Sequence, residues 1–343
     1  MILPVEPGRK TLSLVATMEY VRRKFRLPVQ GVRGFDARWD NHVEFEWVAL
    51  DNVEGKSLKD MWEVMEWDAK EKLVKKLAGY TAMMLQRRFD RIGSLMPDVE
   101  RRIKEGVVCE LIREDQVPVE KKGFLAEILR SLRPEEEKPP YHVGQMVSKD
   151  FFWGERFAQD VPRGPFESSA DWLSSRLRIL ETERIDFLMR SNDRAINAEV
   201  ESALQSIRRL QRLVSKVFRS ETEETVLSLS HLTFENVFVD DAGALTCLTD
   251  WECVPVLPLW KACDLPSFLQ GRERTAPPEE TDNVPEEENE NEDYKAQVRE
   301  YELTLLRGVF LGELERLEER WTREFETGRA KRDVELAVRQ CDK

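Results

Sequence analysis

The chain has 343 residues, 41% of them hydrophobic, enough for a substantial core in one large or two modest domains. Its 66 acidic residues against 53 basic ones give a net charge of −13, which excludes a general binder of nucleic acid or anionic membrane, since either demands a basic face, and is compatible with a cationic substrate. Five cysteines without a CxxC pair, three scattered histidines (His42, His142, His231), no apolar run near the roughly 18 residues of a membrane helix and no apolar signal core at the start point to a soluble protein of the cytoplasm or nucleus, without a zinc finger.

In chain order, Leu12 to Arg26 places Leu12, Val15, Met18 and Val21 at helical spacing and ends in basic residues, as a helix C-terminus favours. His42 to Leu50 alternates Val43, Phe45, Trp47 and Ala49 against polar neighbours, which predicts a strand, and Asp51 to Gly55 reads as a turn or hinge. Ser57 is a candidate helix cap ahead of two helices that carry Trp62, Val64, Met65, Leu73, Leu77, Met83, Met84 and Leu85 as core. A strand is expected near Arg91 to Leu95. Residues 99–140 read as an insertion holding a short amphipathic helix (123–132) and a Pro/Glu-rich linker. Ser168 to Asp171 resembles a helix start, so Trp172 to Leu188 is expected to be helical, as is Ala195 to Phe218. The stretch 278–293 is an acidic loop. Tyr294 to Thr327 reads as a long amphipathic helical region, with a short last helix at Val334 to Val338.

The chemistry concentrates between Ser228 and Trp260, in SLSHLTFENVFVDDAGALTCLTDWECVPVLPLW. Asn236 opens a strand (Val237 to Val239), Asp241-Ala242-Gly243 turns the chain, and Leu245 to Leu248 returns it to deliver Asp250, followed by a proline-rich exit. An Asn and an Asp set side by side at the ends of two short strands can hold Mg²⁺ against nucleotide phosphates. In a kinase-type loop an Asp lies five positions before that Asn, and the metal-binding Asp ends the return strand.

This stretch resembles the aminoglycoside phosphotransferase and choline-kinase-like superfamily, particularly its fungal members, with their H-x-D-L-x-x-x-N-I-L-V-D loop and D-W-E-C tract. The residues that carry the resemblance are Leu232, Asn236, Val239, Asp240, Asp250 to Cys253 and Pro258 to Trp260, with VATMEYVRRK (15–24), FEWVALDNVEG (45–55), FFWG (151–154), DVPRGPFESSADWL (160–173) and YELTLLRGVFLGELERLE (301–318) elsewhere. It implies an α+β, protein-kinase-like fold: a truncated N-terminal lobe and hinge over 1–55, and a large, mainly helical C-terminal lobe over 56–343 with the catalytic-loop and metal hairpin at 228–260. It also implies ATP-dependent phosphorylation of a small-molecule hydroxyl, with Asn236 and Asp250 as Mg²⁺ ligands and Glu252 and Asp264 as candidates to face a cationic substrate.

The departures bear on the reaction. His231 stands where the family has its catalytic Asp, and Leu229 where it has the preceding His. Leu14 takes the place of the helical Glu that pairs with the phosphate-binding Lys, and the hairpin and strand that cover the nucleotide have no counterpart in Met1 to Lys10. Two readings follow. One is an inactive or weakly active, pseudokinase-like protein that binds a small molecule or a protein partner. The alternative is an active small-molecule kinase that uses ATP and Mg²⁺, with His231 as its base.

Overall fold

The computed structural model describes residues 8–98, 141–218, 222–278 and 288–341. The insertion expected at 99–140, with its short helix, and most of the acidic stretch lie outside the described residues. The architecture is α+β in two parts, a small N-terminal part of one helix and a hairpin and a large, mainly helical one, the layout expected of a kinase-like fold.

Helix α1 (Arg9–Phe25) buries Leu12, Val15, Met18 and Val21, as their spacing predicts, and ends at Arg26 in the left-handed conformation (φ 53). Strands β1 (Val32–Asp36) and β2 (Trp47–Leu50) pair antiparallel beside it. Here the structure corrects the reading of 42–50. The strand is confined to 47–50, and Val43, Phe45 and Trp47 are 59%, 58% and 37% exposed. The opposite face is the inner one: Val48 and Leu50 pack on the core, and Thr11 Oγ1 donates to Glu46 Oε2 at 2.6 Å. In a strand, a change of one residue in facing reverses every side chain, and packing on α1 selected the other face.

The hinge leads through β3 (Lys56–Ser57) into α2 (Leu58–Met61), where the Ser57 hydroxyl accepts the Asp60 N–H as a cap. Helix α3 (Trp67–Leu85) buries Leu73, Val74, Leu77 and Met84, while Val64 and Met83, expected in the core, are exposed. Two strands follow, β4 (Gly93–Pro97) and β5 (Tyr141–Gly144), then α4 (Lys149–Phe152), α5 (Ser169–Arg190) and α6 (Arg194–Val217). The start of α5 is capped as expected, with Ser168 Oγ accepting from the Asp171 N–H and donating to Asp171 Oδ2. The remaining strands are β6 (Thr225–Leu227), β7 (Val237–Val239), β8 (Leu245–Leu248) and β9 (Pro255–Pro258). Pro255–Pro258 reads as a loop exit in sequence but joins a four-stranded sheet of order β5-β4-β9-β6, its prolines at the strand ends where a missing N–H is tolerated.

After α7 (Leu259–Ala262), the chain closes with α8 (Glu288–Leu317), α9 (Glu319–Thr327) and α10 (Arg329–Gln340). The α8 helix starts inside the stretch expected as an acidic loop, so 288–293 is helical. The helical region expected at 294–327 is interrupted at Glu318, and the last helix is longer than expected. Helix α8 is clamped to α3 by Lys70, 4% exposed, whose Nζ lies 2.8 Å from both Glu302 carboxylate oxygens and 4.8 Å from the Trp62 ring centre. Helix α10 is held by Glu335, 2% exposed, which meets Arg176 of α5 and Lys261 of α7, each at 3.0 Å. Such buried charges are tolerable because each is paired.

Candidate functional site

The site is framed by the β7–β8 hairpin, in a three-stranded sheet of order β3-β7-β8. Val237, Val239 and Leu248 are fully buried, which fixes the register and so the positions of the polar residues at the strand ends. The turn is built by Asp240, whose Oδ1 accepts the N–H groups of Ala242 and Ala244 at 3.0 and 2.8 Å. Gly243 has φ 79, and a Cβ there would stand 2.8 Å from Ala69 Cβ, so only glycine lets the turn lie against α3. The Leu248 N–H donates to Pro28 O at 2.7 Å, and Thr246 Oγ1 donates to Glu54 O at 2.7 Å, which ties the hairpin to the N-terminal part and the hinge.

The loop before β7, Ser228 to Asn236, is held by its own backbone. The Ser230 carbonyl accepts from Ser267 N–H (3.0 Å) and Oγ (2.8 Å), and Leu232 O accepts from Phe268 N–H at 2.9 Å. Asn236, 5% exposed, closes the loop: its Oδ1 accepts the Thr233 N–H at 2.6 Å, and its Nδ2 lies 3.5 Å from His231 O. The Asn236 carbonyl accepts the Thr249 N–H at 2.9 Å, which sets the asparagine beside the residue preceding Asp250.

Asp250 is exposed and left-handed (φ 60), an uncommon conformation for a non-glycine residue, and makes no side-chain hydrogen bond or ion pair among the described residues. Next to it Trp251, 2% exposed, donates its indole N–H to Leu248 O at 2.8 Å and anchors the turn. Among the described residues no group of three or more His, Cys, Asp and Glu is placed to hold a metal ion.

His231 is turned inward. Its ring meets Trp251 edge-on with centres 5.3 Å apart, and Nε2 is enclosed with no hydrogen-bond partner in the structure. Burial pushes the imidazole down to about 4, against a hydrogen bond to the Ser228 backbone that pulls it up. His231 is therefore neutral near pH 7 and a weak base, with its free nitrogen facing protein.

Glu252 and Asp264 are both engaged. Glu252 Oε1 lies 3.0 Å from Lys10 Nζ, joining the turn after Asp250 to the first turn of α1. Asp264 Oδ1 accepts the Leu265 N–H at 2.9 Å, and its charge supports Arg332, whose guanidinium donates to the Trp260 and Cys263 carbonyls. Leu14 packs half-buried on the core. Sequence reasoning missed the Lys10–Glu252 pair, and no local pattern signals a contact between residues so far apart. A separate groove of about 1290 Å³ lies between residues 153–161 and the second half of α5. Its main charges pair with one another, Arg156 with Glu183 and Arg190 with Glu155, so it is a weaker candidate for chemistry.

No family model matches the chain. Over 155 residues, 45% of its length, it is 25% identical to a subtelomeric hrmA-associated cluster protein found in each of two strains of Aspergillus fumigatus. The match spans about a quarter of the length of these curated relatives. Among solved structures, an apo thermostable mutant of aminoglycoside phosphotransferase APH(4)-Ia aligns over 97% of this chain and 82% of that one, at 14% identity and a TM-score of 0.37. A score this low does not bear on the fold. No helix among the described residues is long and apolar enough to cross a membrane.

Proposed function

We propose that this chain is a kinase-like domain of the aminoglycoside-phosphotransferase kind that binds a magnesium-bound phosphoryl ligand, such as ATP, without transferring the phosphoryl group at an appreciable rate. The observation that carries this reading is the orientation of His231. A base must come within about 3 Å of the hydroxyl proton it takes, whereas Nε2 is enclosed beside Trp251 and its basicity is low. Meanwhile Asp250 stands exposed, in an uncommon backbone conformation, with no protein partner among the described residues. Asn236 supports it by closing the loop and by offering the remaining lone pair of Oδ1, whose other interaction is with Thr233.

In this reading Mg²⁺ would be held by Asp250 and Asn236 and would neutralise phosphate charge when bound. The chain's own residues set the backbone, with Trp251 anchoring the turn through Leu248 O, and keep His231 neutral so that it does not repel the cation. Glu252 is paired with Lys10, and Asp264 Oδ1 accepts the Leu265 N–H, so a cationic substrate would have to compete with Lys10 for Glu252.

The test is a calorimetric titration with ATP and Mg²⁺ on the wild type and on Asp250→Ala. We expect Mg²⁺-dependent binding that weakens at least about tenfold in the variant, as for loss of a charged ligand group worth roughly 1.4 kcal/mol or more. Turnover of an alcohol or amine acceptor that disappears in His231→Ala would overturn the non-catalytic reading.

A further inference from the structure

Over its second half, helix α5 is engaged on three sides. Glu181 accepts from Arg208 Nε at 3.1 Å and from Gln211 Nε2 at 2.8 Å on α6, and Arg184 donates to Cys341 O at the end of α10 at 3.3 Å. Glu183 and Arg190 pair with Arg156 and Glu155 across the groove. The fourth side carries Arg178, Thr182, Ile185, Asp186 and Met189, whose spacing of three and four residues puts them on one face. That face is bare. Ile185 and Met189 are 38% and 74% exposed, and neither Arg178 nor Asp186 has an ion pair or a side-chain hydrogen bond among the described residues. Exposed Met and Arg side by side are residue types that protein interfaces favour.

The order of the charges decides what fits there. Arg178 lies four residues before Thr182 and Asp186 four residues after it, so the two charges stand about 12 Å apart along the helix axis. A ligand or segment of one charge sign laid along this face meets one residue of its own sign. A second α5 running antiparallel, with a two-fold axis at Thr182, meets none: Arg178 of each copy faces Asp186 of the other. Chains of net charge −13 repel one another, so a contact between copies needs a locally balanced face such as this one. Thr182 suits the crossing point. It is short, and its hydroxyl already donates to Arg178 O at 3.0 Å, so no polar group is left unmet where the helices come closest. The same axis sets Met189 opposite Ser175 of the second copy, beside the small, exposed Ser174.

We infer that this face of α5 is a self-association surface, and that the chain forms a two-fold dimer by packing α5 antiparallel on its copy, with Arg178 and Asp186 as reciprocal ion pairs.

The experiment is sedimentation velocity on the whole chain, loaded from roughly 1 to 200 µM, a span that covers the micromolar affinities of modest interfaces. The wild type is expected to pass from 40.2 kDa toward twice that mass as concentration rises. Arg178→Glu sets acid against acid in both pairs and Asp186→Arg sets base against base, so each is expected to weaken association at least about tenfold. An equimolar mixture of these two variants sets an acidic face against a basic one and is expected to associate again, as is the double variant Arg178→Glu/Asp186→Arg. Met189→Ser, which keeps the charges, is expected to weaken association roughly fivefold. The substituted side chains are exposed or half-buried, and thermal unfolding of each variant checks that the chain remains folded. A wild type that stays at the monomer mass throughout overturns the inference and leaves this face to a different protein. A dimer that both single variants leave intact overturns it by placing the contact elsewhere. A mixture of the two single variants that fails to associate overturns the antiparallel pairing.

Discussion

Two antiparallel strand pairs among the described residues, β1–β2 and β7–β8, are both short and meet opposite fates. In β7–β8 the strands are covered: Val237, Val239 and Leu248 are fully buried, and Gly243 brings the turn against Ala69 and Met65. In β1–β2 only one face is covered, and Val43, Phe45 and Trp47 remain open to solvent together with Trp39 at 66% exposure. Alternation announces that a strand has two unlike faces, but which face goes inward depends on where a helix can reach it. The first hairpin had α1 on one side only, and the second had α2, α3 and β3 around it. Marginal hairpins depend on such cover, so the stability of the site's frame is concentrated in β7–β8.

The contrast can be broken at three points. Leu248→Ala, in the covered hairpin, should cost about 4 kcal/mol in urea unfolding, the usual range for a large buried aliphatic side chain. A cost below about 1 kcal/mol would mean that β7–β8 is not the buried frame. Acid should act next, through the loop that feeds this hairpin. The folded pKa of His231, about 4, lies below the ordinary 6.5, so the unfolded chain takes up the proton first as pH falls. The stability contributed by keeping this group neutral is complete above pH 6.5 and is lost as pH falls from 6.5 to 4, on the order of 3 kcal/mol in all. Unfolding measured at pH 7 and pH 5 should show this slope in the wild type and not in His231→Leu. The smallest effect belongs to the open hairpin, where Phe45→Ser should change stability by less than about 0.5 kcal/mol. A loss above about 2 kcal/mol would show that its face is covered.

Local patterns made much of this legible in sequence. The helical spacing of α1 and α3, the caps at Ser57 and Ser168, and the order loop, strand, turn, strand and Asp250 all depend on residues a few positions apart, and the structure keeps each of them. Strands β5, β6 and β9 did not show themselves, because three or four residues carry little periodicity and their partners lie far away in the chain. The inward turn of His231 was hidden for a related reason: it is decided by the Trp251 ring, across the hairpin. Lys10 and Glu252 lie 242 residues apart in sequence, and the approach of α1 to the turn brings them together.

The four-stranded sheet also sets an order of events during synthesis. Strand β4 pairs with β5 on one edge, but its other edge takes Pro255 and Val256, and β6 pairs with β9 besides bridging to Phe89 through Thr225. Leu95 and Met96, fully buried in the finished chain, emerge from the ribosome long before that partner exists. Contacts of such long range slow folding and leave strand edges available to other chains in the meantime. The nascent protein must therefore carry an incomplete sheet until the ribosome has passed Pro258, and this interval is when chaperones have most to protect.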